Sequence, residues 1–379
     1  MTARTDGAGQ VRARQGRTVR RPKKLIAVHP SDEMYGADRV FLETLTDVPS
    51  DWDVEVWLPT DVDYPGNELS TALAELGHTV RRMPLPVIRR SYLRLGALPG
   101  LVGRFLRTAG AVVRARPSKM YVNTSALVLM LPLARLIGAA TVLHLHEFLD
   151  RKTALFVTPF MSFAQRIVCV SNAVRLPLPE KFDRRSVVVY NGFELPEPTP
   201  FVVDERLVCL VASRWNTWKG HDVLLDAWDG LERSDIELIV LGAPPLNGAS
   251  VDVVDRVRRL ERPDSVSIVG QTDNVRKYLD AAHLVLVPSI KPDPLPTIAI
   301  EAMAAGRAVL ASDSGGLPEI IGDDVGRLVP TGDVAAWRQA LEEFSIEDAT
   351  ERANQARRRF EAQFGVRRFR DEIGKEIWT

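Results

Sequence analysis

Cysteine is scarce in this sequence, with two residues in a chain of 379. Cys169 and Cys209 each lie inside an apolar run typical of a buried strand, IVCVS and LVCLV. A buried free thiol is the usual state of such residues, so we predict neither a disulfide nor a metal site here. Free thiols indicate a reducing compartment, and we therefore expect a cytoplasmic protein.

Long apolar runs are also missing. The longest, Ala126 to Leu145, is interrupted by Pro132, Arg135 and Gly138, which predicts a helix, a turn and a strand rather than a membrane span. The apolar run that follows the basic N-terminus, LIAV after Lys24, is too short for a signal peptide. The length, with 26% charged and 45% hydrophobic residues, is typical of a soluble globular protein with two domains.

Acidic residues are absent between Arg81 and His146, although the net charge of the whole chain is zero. The basic residues of this stretch are Arg81, Arg82, Arg89, Arg90, Arg94, Arg104, Arg107, Arg114, Arg116, Lys119 and Arg135. Apolar residues recur at helical spacing from Leu98 to Val113, with arginines on the opposite side. Such a helix can lie on an anionic membrane or pack on a sheet with a solvated basic face. The absence of acids favours an anionic partner, either a phospholipid surface or a phosphorylated acceptor, and peripheral attachment to the inner face of the membrane.

Strand-like and helical segments alternate along the chain, which predicts an α/β protein with parallel sheets. The predicted strands are Leu25–His29, Val54–Leu58, Thr79–Met83, Met120–Val122, Thr141–His146, Ile167–Ser171, Val187–Tyr190, Leu207–Ala212, Glu237–Leu241, Ser267–Val269, Leu284–Val287, Ala308–Ala311 and Gly326–Val329. Residues 1–24 are expected to be a disordered basic tail. Residues 25–193 and 205–355 are expected to form two Rossmann-like domains, joined by the proline-rich segment 194–204.

A basic and an acidic cluster stand out in the second half. The segment LVCLVASRWNTWKG predicts a buried strand that runs into a loop with Arg214 and Lys219. Asp293 and Glu301 fall at the entry and the second turn of a later predicted helix. Cations after one strand, with carboxylates and a helix N-terminus after another, can bind a diphosphate and its flanking hydroxyls. Alternatively, the cations could lie on a solvated loop and the acidic block could be an ordinary helix of strong helix formers. The order and separation of the two motifs favour a nucleotide-sugar site.

These motifs resemble a known family. The order R-x4-K, then an acid-x7-Glu block ending in EAMAAGRAV, then S-GG-PE, is similar to the retaining glycosyltransferases of family 4, which have the GT-B fold of two Rossmann-like domains. The family usually has E-P-F-G where this chain has Asp293-Pro294-Leu295-Pro296. Aspartate shortens the reach of the carboxylate by one methylene, and Pro296 removes one backbone N–H from the start of the helix.

The resemblance implies a role for each cluster. Arg214 and Lys219 would neutralise the departing diphosphate, Asp293 would orient the sugar, and Glu301 would accept hydrogen bonds from the ribose. It implies further donor contacts at Gly36, Gly270, Leu295, Pro296 and Thr297. The second domain would then bind the nucleotide sugar and the first would face the acceptor, with a final helix, residues 356–379, returning to the first domain.

The first domain carries two signals of its own. Gly36 opens a helix whose amides could meet the donor phosphates or the acceptor, although a plain strand-to-helix turn would look the same. The run Tyr35–Arg39 resembles relatives that decorate surface polysaccharides. In the strand TVLHLHE, His144 and His146 point to one face. The family has a histidine beside the transferred sugar at the position of His146, whereas we expect His144 to be structural.

The expected reaction follows from the same resemblance. Retention by double displacement needs a carboxylate nucleophile, and no residue is marked for that role. The family is thought to use same-face attack, with the departing diphosphate taking the proton of the acceptor. Two fixed cations take the place of a metal, so we expect neither metal nor cofactor. Asp51, Asp53, Asp61 and Asp63 are expected to be loop caps rather than metal ligands.

We therefore expect transfer of a sugar from a UDP- or GDP-sugar to a hydroxyl of a lipid-linked or cell-surface glycan, and no nucleic-acid partner. A soluble small-molecule acceptor is an alternative, and so is a catalytically weak nucleotide-sugar-binding protein or partner subunit. A sugar-nucleotide 2-epimerase is disfavoured because it would need catalytic acids and bases and lacks this pairing of motifs. A phosphorylase would need a lysine for pyridoxal phosphate and usually a far longer chain.

Overall fold

The computed structural model describes residues 22–34, 36–64, 66–89, 96, 98–194, 197–199, 206–245 and 249–379. The predicted basic tail therefore lies almost wholly outside the described residues, as do Tyr35, Arg90, Arg94 and most of the predicted linker. The boundaries of these two segments stay predictions.

The first domain is built on a seven-stranded parallel sheet. Its strands are β1 (Lys23–Val28), β2 (Trp52–Pro59), β3 (Thr79–Met83), β4 (Lys119–Asn123), β5 (Ala140–Leu145), β6 (Arg166–Cys169) and β7 (Ser186–Val188). Its helices are α1 (Gly36–Thr44), α2 (Glu68–Glu75), α3 (Leu98–Ala115), α4 (Met130–Leu136), α5 (Arg151–Met161) and α6 (Asn172–Arg175). The strand order is β3-β2-β1-β4-β5-β6-β7, which is the doubly wound order.

The second domain repeats this plan with six parallel strands in the order β10-β9-β8-β11-β12-β13. The strands are β8 (Leu207–Ala212), β9 (Ile236–Leu241), β10 (Val266–Gly270), β11 (Leu284–Val287), β12 (Ala308–Ser312) and β13 (Gly326–Val329). The helices are α7 (His221–Asp229), α8 (Val253–Arg258), α9 (Val275–Ala281), α10 (Thr297–Ala304), α11 (Leu317–Val325), α12 (Val334–Glu343), α13 (Ile346–Gln363) and α14 (Val366–Ile377). The predicted strands are confirmed, with ends that differ by a residue or two.

Burial explains why these segments form strands. Every residue of β4, β11 and β12 is buried, as expected for strands covered by helices on both faces of a parallel sheet. Cys169 and Cys209 are buried free thiols, as predicted, and burial raises the pKa of Cys169 to about 12. Ala126–Leu145 contains α4, a turn with positive φ at Gly138, and β5. No helix within the described ranges combines the length and apolar character needed to cross a bilayer.

The chain ends against the first domain. Phe369, Ile373 and Ile377 of α14 are buried in one cluster with residues of β1 and β2. The ring of Trp378 lies 5.8 Å from that of Trp52. Arg166 on β6 donates to Glu376 at 2.6 Å. The last helix therefore ties the C-terminus of the chain to the sheet of the first domain.

The strand order determines where a ligand can bind. In each sheet the order reverses beside the first strand, between β1 and β4 and between β8 and β11. In doubly wound sheets ligands bind outside the carboxyl ends of the strands at this reversal. The residues at these ends are His29 and Asn123 in the first domain and Arg214 and Pro288 in the second.

Candidate active site

The loop after β8 is locked to the loop after β11. Ile290 donates its backbone N–H to the carbonyl of Trp218 at 2.9 Å. Gly220 adopts a positive φ of 79°, and a Cβ at this position would lie 1.8 Å from the carbonyl oxygen of Pro288. Only glycine fits there, because both the backbone conformation and the space exclude a side chain. The two predicted clusters are therefore brought together by backbone packing.

Lys219 and Asp293 form an ion pair at the centre of this arrangement. The Nζ atom of Lys219 lies 2.6 Å from a carboxylate oxygen of Asp293, and the two side chains are 18% and 13% exposed. The carbonyl of Asp293 accepts the N–H of Gly316 at 2.8 Å. A Cβ on Gly315 would lie 2.3 Å from the same carbonyl oxygen, so the two glycines of S-GG-PE allow a close approach of the backbones. All three sequence motifs therefore meet at Asp293.

Helix α10 begins next to this pair. Pro296 is its N-cap residue, and its carbonyl accepts the N–H of Ala299 at 3.2 Å. The side chain of Leu295 is buried in the core, so only its backbone is available to a ligand. Burial raises the pKa of Glu301, while Arg39 and a hydrogen bond from Thr297 act in the opposite direction. Glu301 is thus a partly buried carboxyl group with a cation of the first domain nearby.

Two helix N-termini meet across the cleft. A Cβ on Gly36, the first residue of α1, would lie 3.8 Å from the methyl group of Thr297, the first residue of α10. The start of each helix presents unpaired N–H groups and the positive end of the helix dipole. The convergence of both starts makes this part of the cleft favourable for an anion.

Arg214 faces the first domain. The pKa of Glu33, in the loop between β1 and α1, is raised by burial and by Asp38 and is lowered by the charges of Arg214 and Arg89. Arg214 therefore lies close enough to this loop for its charge to be felt there. Gly270 is more distant from these groups in the sheet, since it ends the edge strand β10 with a positive φ of 88°. Its contact with a nucleotide base stays a prediction.

His146 stands on a buried polar chain that the sequence did not reveal. Its Nε2 atom lies 2.8 Å from the Oδ1 atom of Asn123, at the end of β4. The Nδ2 atom of Asn123 lies 2.8 Å from Nδ1 of His29. Nε2 of His29 lies 2.7 Å from Oδ1 of Asp38 in α1. Asp38, His29 and Asn123 are all buried, whereas His146 is partly exposed.

The neighbouring His144 belongs to the core. It is fully buried, its ring centroid is 4.1 Å from that of His146, and its Nδ1 atom lies 2.7 Å from the hydroxyl of Tyr121. Burial lowers the pKa of His144 to about 3. Burial, with smaller contributions from His144 and His29, holds the pKa of His146 well below its usual value. Both imidazoles are therefore neutral at physiological pH.

Glu319, the last residue of S-GG-PE, connects the domains. One carboxylate oxygen accepts the backbone N–H of Ala173 at 2.6 Å, and the other accepts the backbone N–H of Asn172 at 2.7 Å. The hydroxyl of Tyr190 donates to it at 2.8 Å. Asn172 is the first residue of α6 and Tyr190 follows β7, so all of these partners of Glu319 belong to the first domain.

Arginines of the stretch without acidic residues, Arg81 to His146, form ion pairs with acidic residues from other parts of the first domain. Arg81 pairs with Glu55, Arg82 with Asp32 and Arg89 with Asp61. Asp53 lies within strand β2, so it is not the loop cap that the sequence predicts, and Asp61 is an ion-pair partner of Arg89. Within the described ranges no group of three or more His, Cys, Asp or Glu side chains could hold a metal ion.

Helix α3 contacts the core with only part of its apolar stripe. Leu101 and Val112 are buried, whereas Val102, Leu106 and Val113 are 54%, 63% and 54% exposed. The predicted apolar stripe is therefore wider than the face that packs on the sheet. Arg107 and Arg114 are also exposed on this helix. We call the exposed residues of α3 the basic apolar face, which consists of Val102, Leu106, Arg107, Val113 and Arg114.

A family model and several curated proteins each match a part of this chain. Residues 196–361 match the family model described as glycosyl transferases group 1. The lipopolysaccharide 1,2-N-acetylglucosaminetransferase of Salmonella typhimurium is 35% identical over 133 residues, 33% of this chain and 35% of that protein. The phosphatidyl-myo-inositol mannosyltransferase of Mycobacterium leprae is 34% identical over 131 residues, 32% of this chain and 33% of that protein. The match thus spans about a third of the length of these relatives.

Solved structures match across both domains. Anabaena HepE in complex with UDP superposes with a TM-score of 0.76 at 21% identity, covering 93% of this chain and 99% of that one. A glycosyltransferase from Rickettsia africae superposes with a TM-score of 0.73 at 17% identity, covering 94% and 99%. At these identities the similarity concerns the fold. The predicted GT-B architecture of two parallel α/β domains is confirmed. All of the cation and carboxylate motifs lie within residues 196–361, the part of the chain that matches the glycosyl transferases group 1 model.

Proposed function

We propose that this protein transfers a glycosyl group from a nucleoside-diphosphate sugar to a hydroxyl acceptor with retention of anomeric configuration. The observation that carries the proposal is the convergence of Gly36, Thr297, Lys219 and Asp293 in one cleft. Two helix starts and a lysine are suited to a diphosphate, and a carboxylate beside them is suited to the hydroxyls of a sugar.

The ion pair between Lys219 and Asp293 is suited to a site that binds an anionic ligand. A poorly exposed ammonium group without a partner would be costly, and Asp293 supplies that partner in the free protein. On donor binding, the diphosphate would take over Lys219 and release the carboxylate of Asp293 to the sugar. Arg214 would bind the same diphosphate from the other side of the loop. The two cations would then stabilise the charge that develops on the leaving group.

Glu301 is proposed to accept hydrogen bonds from the ribose. Burial raises the pKa of Glu301, and the positive charge of Arg39 opposes this rise; the ionised carboxylate is an acceptor at both oxygens. Buried carboxylates bound to hydroxyls discriminate strongly against ligands that lack them, because the carboxylate is otherwise left unpaired. The reaction would proceed by same-face attack, with a diphosphate oxygen taking the proton of the acceptor. With Arg214 and Lys219 offsetting the diphosphate, the proposed reaction needs no metal and no cofactor.

The donor nucleotide is proposed to be UDP or GDP. Anabaena HepE binds UDP and, in a second structure, UDP-glucose, which puts UDP-sugars first among the donors to test. The Salmonella and Mycobacterium relatives are named for transfer of N-acetylglucosamine and mannose respectively, so both sugars belong in the panel.

The acceptor is proposed to be a lipid-linked or cell-surface glycan, reached at an anionic membrane. The basic apolar face of α3 supports this, since exposed apolar side chains beside arginines suit the interface of a bilayer with acidic headgroups. A protein working there would be cytoplasmic and peripheral, and it would contribute to polysaccharide biosynthesis.

The proposal is tested with a panel of UDP- and GDP-sugars. Release of the nucleoside diphosphate is measured with and without a chelator, and proton NMR reports the anomeric configuration of the product. Lys375→Ala, an exposed lysine of α14, serves as a control for Lys219→Ala. An inverted product would contradict retention, and activity that is lost in chelator and restored by magnesium or manganese would contradict metal independence. Binding of a donor with no turnover would favour a nucleotide-sugar-binding protein.

A further inference from the structure

The hydrogen bonds that connect Asp38, His29, Asn123 and His146 all donate in one direction, and Asp38 determines this direction. An ionised carboxylate can only accept, so Nε2 of His29 must carry a proton at 2.7 Å from Asp38. The amide nitrogen of Asn123 can only donate and lies 2.8 Å from Nδ1 of His29, so this ring nitrogen accepts. The other end of that amide is an oxygen, which can only accept. Nε2 of His146, 2.8 Å away, must therefore carry a proton as well.

The opposite orientation of the Asn123 amide is disfavoured on the side of His29. It would turn the amide oxygen toward His29 and place a proton on Nδ1 of that ring, leaving a bare Nε2 against the carboxylate of Asp38. The hydroxyl of Tyr121 lies 3.2 Å from Oδ1 of Asn123 and 2.7 Å from Nδ1 of His144, and because its single proton can go to either acceptor it does not determine the orientation of the amide. All these groups except His146 are buried, so a mismatched hydrogen bond would not be repaired by water.

We propose that Asp38, His29 and Asn123 are positioning residues that hold His146 in the Nε2–H tautomer, so that its Nδ1 accepts a hydrogen bond from a hydroxyl of the transferred sugar. The ligand in this statement rests on the proposed function. No described residue bonds to Nδ1 of His146, and the ring is partly exposed just beyond the end of β5. A donor that lacks the matching hydroxyl would leave this nitrogen unpaired.

The electrostatics of the site agree with this role. Burial and the adjacent rings of His144 and His29 keep the pKa of His146 low, so the ring stays neutral and retains a lone pair. An imidazolium would have no lone pair and could not accept from a hydroxyl. A neutral imidazole of unfixed tautomer would present an acceptor at Nδ1 for only part of the time. Fixing the tautomer makes the acceptor permanent.

The first test determines the tautomer of His146 in the absence of substrate. The full-length protein, labelled with 15N-histidine, is examined by long-range proton–nitrogen correlation at neutral pH, and the His146 signal is assigned by its loss in His146→Phe. We expect a protonated Nε2 and a bare Nδ1 in the wild type. Asn123→Leu should give a mixture of tautomers, and Asn123→Asp, whose oxygen still accepts from Nε2–H, should keep the wild-type tautomer. A protonated Nδ1 in the wild type, or no change in Asn123→Leu, would overturn the inference.

The second test measures whether the fixed tautomer of His146 affects the choice of sugar donor by the active enzyme. Turnover is measured with the preferred donor and with analogues that each lack one sugar hydroxyl. One analogue should be at least about 10-fold slower than the full donor with the wild type, and this difference should shrink in Asn123→Leu and remain in Asn123→Asp. The affinity for the free nucleoside diphosphate should not change. Equal discrimination in all three proteins would overturn the sugar contact.

The two tests separate this inference from the proposed function. If no donor supports transfer but the tautomer behaves as expected, the proposed glycosyl transfer fails while the assignment of the hydrogen-bond chain stands. If transfer occurs but the tautomer is the other one, the positioning role fails and the transferase proposal stands. Should Asn123→Leu not fold, the Asn123→Asp protein and the wild-type spectrum still decide the tautomer.

Discussion

Glu319 of the second domain accepts the backbone N–H of Ala173 in the first domain at 2.6 Å. The carboxylate sits at the N-terminus of the short helix α6, where backbone N–H groups have no intrahelical partner. A carboxylate at a helix start is a favourable charge–dipole arrangement, and here it joins two domains instead of capping its own helix. Glu319 therefore acts as a hydrogen-bonded link between the two halves of the cleft.

Glu319→Gln should weaken this link. The amide keeps one acceptor oxygen but places an NH2 group where the second oxygen accepted a backbone N–H, so charge-assisted bonds worth about 1.5–3 kcal/mol each are weakened or lost. We expect a lower Tm and weaker binding of UDP, because the first domain is less firmly held over the second. Glu351→Gln, on the exposed side of α13, is the control. Equal melting temperatures for all three proteins would show that the contact does not hold the domains together.

Most of the strands could be predicted from the sequence because they contain a compact apolar run. KMYVN and AVLAS are buried along their full length, so the local pattern carries the whole signal. The cation and carboxylate clusters could also be read, since each lies within one short segment. Their meeting at Asp293 depends on glycines that let backbones touch, and a glycine in a sequence does not say which backbone it faces.

Contacts between residues far apart in the sequence could not be predicted from the sequence. His29, Asp38 and Asn123 come from three different elements, and the separation of His29 and Asn123 is 94 residues. The ion pairs of Arg81, Arg82 and Arg89 were hidden for the same reason, because their acidic partners precede the acid-free stretch in the chain. Charge counted along a sequence thus overstated the charge presented on the surface.

Arg214→Ala and Lys219→Ala should each reduce turnover strongly while the protein stays folded. Loss of one charge-assisted contact to a leaving group raises the barrier by about 2.7–4 kcal/mol, which corresponds to roughly 100- to 1,000-fold in rate. Initial rates of nucleoside diphosphate release and circular dichroism spectra check this. Lys375→Ala should behave as the wild type. Turnover near the wild-type rate in both variants would contradict the assignment of the two cations.

Asp293→Asn and Glu301→Gln should differ in their effects on the binding of free UDP. Removing the charge of Asp293 releases Lys219 from its 2.6 Å ion pair, so the affinity for UDP should be unchanged or higher while turnover falls. Glu301→Gln weakens the acceptor for the ribose and should lower UDP affinity by about 10-fold, the effect of roughly 1.4 kcal/mol. Isothermal titration calorimetry gives both affinities. A large loss of UDP affinity in Asp293→Asn would contradict the proposed exchange of partners.

The protein should bind anionic vesicles at low salt through the basic apolar face of α3. Each arginine near an acidic surface contributes about 1 kcal/mol, and added salt screens this attraction within a Debye length. Arg107→Glu and Arg114→Glu should therefore reduce co-sedimentation, and Leu106→Ser should reduce the part that resists salt. Arg258→Glu, exposed on α8 in the second domain, is the control. Absence of co-sedimentation at low salt would remove the membrane proposal and favour a soluble acceptor.

Replacing the buried His144 should flatten the dependence of stability on pH. The folded pKa of His144 is about 3 and the unfolded value is near 6.5, so between these values the unfolded chain binds one more proton. Stability from this residue is therefore present above about pH 6.5 and is lost as the pH falls, by about 1.4 kcal/mol per unit. His144→Gln should remove that slope in urea denaturation between about pH 6 and pH 4, whereas His78→Gln, in the turn before β3, should retain it. Other titrating groups are common to the variants and cancel in the difference. Parallel stability curves for wild type and His144→Gln would show that His144 is not held neutral by the fold.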